Sequence, residues 1–211
     1  KFSRKLDFAW VRKLIDFGKY VTGTNLGMIL LKFMDQIMLG AMISPKAVAG
    51  YSTSVRIGNL VEVPTQSIAA IVFPQSARKH DKQGKDAVKI LFEKSVGVIL
   101  AMIIPGVLLV WLFPSHFLRF VAGERYVDQV PILRIVMLTS LFVPFSRQFS
   151  TIMDAIGKPK LNFYLTLGGA IHNAILLLIF IPFFGEMGAA FSTLAAYVIM
   201  VSVSLGFLSN E

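Results

Sequence analysis

The chain has 211 residues, of which 55% are hydrophobic and 16% charged, with a formal net charge of +9 and no cysteine. A soluble domain carries about a quarter charged residues, and here the apolar residues gather into runs near the roughly 20 residues that span a bilayer. This excludes an ordinary soluble enzyme, a disulfide or thiolate metal site and a cysteine nucleophile, and makes the positions of the cations more telling than their sum.

Residues 1–15 place Phe2, Leu6, Trp10 and Leu14 four apart with basic residues between them. That spacing predicts an amphipathic linker helix lying in the membrane interface. The chain opens on Lys rather than Met, as a processed product or a piece of a longer protein would, and its first residues show no secretory signal. Residues 16–211 read as one lobe of six transmembrane helices, with spans at about 17–40, 45–77, 90–113, 128–156, 161–182 and 187–208. Ser44-Pro45 starts the second span. That span is longer than a bilayer needs and holds Pro64 and Pro74, so it must tilt, kink or project. Residues 78–89 are expected to form a charged loop. Pro105 is a kink in the third span, and 114–125 has the character of a short interfacial helix. Pro131 and Pro144 fall in the fourth span, and Gly157-Lys158-Pro159-Lys160 is a break. Phe183 to Glu186 is the last turn, and the sixth span has a small-residue face suited to close helix packing.

The cations alternate by loop. Twelve fall on one side, from Lys1 through Arg78 and Lys89 to Lys160, against Lys46, Arg119 and Arg125 on the other. By the positive-inside rule both termini are cytoplasmic.

Ionisable groups at bilayer depth usually face a protein interior or a watery cavity. Lys32 and Asp35, three apart, share a helical face, as an ion pair or as cavity groups. Arg56 is the first choice for a substrate contact, because guanidinium offers a planar fork of donors to phosphate oxygens; Lys32 is the second. Asp35 and Glu62 are candidates for coupling to an ion. Arg147 and Asp154, seven apart, are expected to snorkel or to form a gate ion pair. His172 and Asn173 are expected to hydrogen-bond to a neighbouring helix. His80, His116 and His172 are too scattered for a metal site, and neither a Ser-His-Asp grouping nor a phosphate-binding glycine loop occurs. No enzyme activity, cofactor or nucleic-acid partner is expected.

Several stretches carry a resemblance. Asp35-Gln36-Ile37-Met38-Leu39-Gly40, then Val48-Ala49-Gly50-Tyr51-Ser52 and Val55-Arg56-Ile57, are similar to the start of the second half of polysaccharide flippases. Phe73-Pro74, Asp154-Ala155-Ile156-Gly157-Lys158-Pro159-Lys160, Asn173 and Gly185-Glu186-Met187-Gly188-Ala189-Ala190 continue it along the chain. The sequence thus resembles oligosaccharide and O-antigen flippases of the multidrug/oligosaccharidyl-lipid/polysaccharide exporter superfamily. The resemblance implies an all-α polytopic membrane protein, a six-helix bundle like one lobe of a MATE-like transporter. It also implies alternating-access export of polyprenyl-pyrophosphate-linked oligosaccharide in a bacterial cytoplasmic (inner) membrane. Expected partners are membrane lipids, the lipid-linked sugar and either a missing N-terminal lobe or a second copy. Two alternatives stand beside it: a multidrug or cation antiporter of the same superfamily, and an inactive structural half-transporter.

Overall fold

The computed structural model describes residues 8–210 and is helical almost throughout, with no strand among the described residues. Helix α1 runs Phe8–Met42. Helix α2, Pro45–Gly58, follows Ser44, whose side chain accepts from the Ala47 N–H at 3.2 Å, with Pro45 in the first turn. A 3-10 turn, Asn59–Val61, leads into α3, Glu62–Leu112. Helix α4 covers Pro114–Ala122, and a 3-10 stretch at Glu124–Gln129 leads to α5, Val130–Ser140. Helices α6, Val143–Ala155, and α7, Pro159–Asn210, complete the chain.

Both long helices are hairpins. In α3 the backbone breaks at Gly84, with φ 76° and ψ −163°. Val72 and Val96, each twelve residues from that glycine, then pack in one apolar cluster. In α7 the break is at Gly185, φ 59°, and Gly169 lies against Met200 across the fold-back. A positive φ is open to glycine because it lacks a Cβ. Counted this way, the described residues form six long helical segments, and the architecture is an all-α, six-helix transmembrane bundle. The turns at Ile43, Gln129 and Gly185 gather at one end, where they line a shared hollow. The breaks at Gly84 and Gly157 lie at the other.

Four expectations change in detail. The linker helix and the first span are one uninterrupted helix from Phe8, because neither a proline nor a break-forming pair separates them; residues 1–7 of the expected linker lie outside the described residues. The charged stretch 78–89 is helical on both sides of Gly84, since its Ala, Arg, Lys and Gln are good helix formers and only the glycine supplies a reversal. The second span unwinds into the 3-10 turn just before Pro64, whose ring clashes with the carbonyl four residues earlier and lacks the N–H for it. The fourth span is two helices meeting at Leu141–Phe142. Pro131 and Pro144 begin them rather than kink one rod, since a first helical turn needs no N–H there.

α1 packs most extensively against α7, and α3 against α6. The first contact is close because Gly23 and Gly27 sit beneath Phe163 and Thr166, the small-residue packing that membranes favour. Three apolar clusters run along the bundle. One joins Ile99, Ile103 and Leu133, a second joins Leu39, Tyr51, Leu177 and Ala190, and the third joins Phe92, Phe149 and Ile152.

Candidate functional site

A cavity of about 420 Å³ opens between α1, the α2–α3 junction, α5, α6 and the second segment of α7. Its wall is built by helical period. On the α2–α3 rod, Tyr51, Val55, Asn59, Glu62 and Gln66 follow at spacings of three and four, which keeps them on one face. On α1, Lys32 and Asp35 share the facing side. Gly58 permits the close passage of α5, since a Cβ there would meet Val136.

Lys32 donates from Nζ to both carboxylate oxygens of Glu62 at 2.8 Å, and the two side chains remain 35% and 29% exposed. Asp35 is 3% exposed. It accepts from the Tyr51 hydroxyl at 2.5 Å and from the Gln36 N–H at 2.8 Å. Arg147, half-buried on α6, also lines the cavity. It donates to the Met28 thioether at 3.5 Å and has no carboxylate partner among the described residues. The buried hydroxyl of Ser146 lines the same space without a hydrogen-bond partner among the described residues. The wall therefore carries two cations and two anions, and an oxyanion with several acceptor oxygens would find its free donors at Arg147. No cluster of three metal-ligating side chains occurs among the described residues.

The expected residues are redistributed. Lys32, Asp35 and Glu62 come together at the cavity, but Lys32 pairs with Glu62 across two helices rather than with Asp35, because Tyr51 holds Asp35. Arg56 is exposed and outside the cavity lining. It lies one residue, about 100° of helix, beyond Val55, on the exposed face that continues through Leu60 and Val63. Arg147 and Asp154 do not pair. Seven residues separate them by about 10 Å along the axis, and Asp154 accepts instead from Asn162 Nδ2 at 2.8 Å. Asn173 is fully buried, yet neither its amide atoms nor His172 Nε2 has the hydrogen bond expected across the helix interface. That face of α7 continues through Leu177 and Ile181 into an apolar cluster with Ala189 and Ala190. Tyr51 and the cavity-facing direction of Arg147 were not singled out from sequence; the polar row from Tyr51 to Gln66 was the available signal.

A shallower hollow at the end carrying Gly185 is lined by Ile43, Asp128, Gln129 and Glu186 among others. Partial burial pushes the Glu186 carboxyl above its ordinary value, against the lowering effect of a hydrogen bond from Gln129.

The sequence profile of the MatE family matches residues 21–179. An uncharacterized membrane protein of Methanocaldococcus jannaschii is 29% identical over 210 residues, covering 99% of this chain and 41% of the relative. The probable low-salt glycan biosynthesis flippase Agl15 of Haloferax volcanii is 23% identical, covering 98% of this chain and 44% of its own length. A putative O-antigen transporter of Shigella flexneri is 23% identical over 188 residues, with 86% and 43% coverage. The chain thus spans less than half the length of these relatives. Among solved structures, a MATE transporter crystallised in complex with MaD3S superposes with a TM-score of 0.83 at 15% identity, covering 99% of this chain and 48% of that one. A Pyrococcus furiosus transporter of the MOP superfamily, described as having a binding pocket of reverse polarity, superposes with a TM-score of 0.72 at 15% identity, with 88% and 44% coverage.

Proposed function

Since the chain belongs to the MatE family, whose members are transporters rather than enzymes, we propose that it forms one lobe of a flippase. The flippase moves polyprenyl-pyrophosphate-linked oligosaccharide across the membrane by alternating access. The observation that carries this reading is Arg147, a cavity cation on a membrane-spanning segment whose one side-chain partner among the described residues is a thioether. An uncompensated guanidinium there is expensive unless something anionic visits it, and a pyrophosphate supplies the bidentate acceptors it fits. Relatives named as flippases and an O-antigen transporter support a lipid-linked saccharide as the cargo.

Coverage of less than half of each relative supports a second six-helix lobe, in the same polypeptide or as a second copy, closing the cavity. The break before Pro64 and the α5–α6 junction at Pro144 are proposed bending points for the motion of the two lobes. Both termini are proposed to face the cytoplasm, because the end carrying Gly84 and Gly157 collects the cations. The relatives come from archaea and a bacterium, so the membrane proposed is a prokaryotic cytoplasmic membrane rather than a bacterial one alone.

The test is complementation of a flippase-deficient strain with the full-length protein. Arg147→Ala should reduce sugar export at least about tenfold at unchanged membrane level, the loss expected for a charge-assisted contact. Export at the wild-type rate would remove the headgroup role.

A second reading, a cation-driven drug antiporter, is favoured by Asp35, a buried carboxylate with no cation partner among the described residues. It predicts drug resistance that Asp35→Asn abolishes, and cells that gain no resistance from the wild-type protein would rule it out.

A further inference from the structure

The two cavity cations are treated unequally. Arg147 keeps its donors open, whereas Lys32 is gripped by both oxygens of Glu62 at 2.8 Å. A carboxylate placed that way occupies the ammonium much as two phosphate oxygens would. The pair is also not sealed into the protein: each partner is about one-third exposed to the cavity. Ion pairs with that much water access are held weakly. Glu62 has somewhere to go when released, since Gln66 Nε2 already lies 3.4 Å from Oε2.

We infer that Glu62 is a built-in competitor for the cargo. It occupies Lys32 while the cavity is empty and yields it to a phosphate-bearing headgroup that Arg147 has engaged first. The inference rests on the lipid-linked cargo proposed above and adds how the site lets that cargo go. Two free cations would hold a pyrophosphate tightly and stall the cycle; conduction and transport need binding that is favourable enough to enter and weak enough to leave. With Glu62 present, every headgroup that binds must break a pair, and every departure re-forms one. Glu62 thus shortens the residence of the cargo without touching it.

Equilibrium binding of inorganic pyrophosphate and of farnesyl pyrophosphate to the full-length protein in lipid nanodiscs tests this. Glu62→Gln should tighten both by about tenfold, the scale of a close charge pair, and slow sugar export at the same time. Arg147→Gln should weaken both by about tenfold. Lys32→Gln should matter little while Glu62 is present and weaken binding about tenfold in the Glu62→Gln background. That dependence on background is the mark of competition. Unchanged or weaker pyrophosphate binding in Glu62→Gln overturns the proposal. Should that variant not fold, Glu62→Asp keeps the charge on a side chain one methylene shorter and must tighten binding by a smaller factor; no change there overturns the proposal equally. Equal affinity for the tailed and tailless anions in every variant overturns the lipid-headgroup assignment. If the flippase reading itself were wrong, export would not depend on the wild-type protein, while the Glu62→Gln ratio would stand or fall independently.

Discussion

Helix α1 packs against the first segment of α7, with Gly23 and Gly27 beneath Phe163 and Thr166, yet the two meet the membrane in opposite ways. α1 carries Lys32 and Asp35 within its expected span and turns them inward, to Glu62 and to Tyr51. α7 carries Ile171, Ile175 and Leu178 within the expected fifth span and leaves them exposed on the bundle surface, with Ile175 at 49% and Leu178 at 57%. In water such a row would be an aggregation surface; in hydrocarbon it is the solvated face. Among the described residues, three segments are long and apolar enough to cross a membrane by length and composition: Asp86–Leu112, Glu124–Ala155 and the α7 hairpin Pro159–Phe207. α1 and the α2–α3 rod are not among them, and each carries polar and charged residues turned to the cavity, Lys32 and Asp35 on α1 and Glu62 and Gln66 on the rod. The two rods with the weaker hydrophobic signal carry the Lys32–Glu62 pair and Asp35, whereas Arg147 sits on one of the apolar segments.

The contrast can be broken most sharply on α7. Ile175→Arg places a charge against acyl chains and should cost about 2.5–3.5 kcal/mol on insertion scales, read as a loss of correctly inserted protein. Wild-type insertion would mean that another protein surface covers this face. On the cavity side, Tyr51→Phe removes the hydroxyl donor from buried Asp35 and should cost about 1–3 kcal/mol, seen as a lower unfolding midpoint in detergent. A midpoint that does not move would show that Asp35 has found water in place of Tyr51.

Lys32→Met strands Glu62. Because the pair is partly exposed, about 1–2 kcal/mol is expected rather than the larger penalty of a sealed pair. Lys32→Met/Glu62→Met should recover most of that loss, and a double variant less stable than the single one would refute a simple pair. The smallest effect belongs to Arg56→Ala. An exposed side chain outside the cavity should change stability by no more than about 0.5 kcal/mol and leave pyrophosphate binding intact; a tenfold loss of binding would return Arg56 to the site.

Much of the architecture was legible because its signals are local. The prolines at 45, 64, 131 and 144 begin or interrupt helices in the structure, and Gly157 and Gly185 mark breaks. The charged stretch 78–89 misled because polarity alone does not unwind a helix, and only Gly84 reverses the chain. The candidate site was less legible. Spacing put Lys32 beside Asp35 and Arg147 in line with Asp154, and neither pairing formed. Arg56 and Arg147 are chemically identical cations, and nothing in their local sequence says that the second faces the cavity.

The sequence by itself determined that the chain crosses a lipid bilayer as helices, where most of those helices begin and end, and which side chains share a face within each rod. Apolar content, proline chemistry and the 3.6-residue period act over a few residues and need no partner. Only the tertiary structure decided that Glu62 answers Lys32, that Tyr51 answers Asp35 and that Arg147 looks into the cavity with no carboxylate beside it among the described residues. Those outcomes depend on how far each rod is rotated about its own axis, and that rotation is set by close contacts between distant segments, such as Gly23 under Phe163 and Gly58 under Val136.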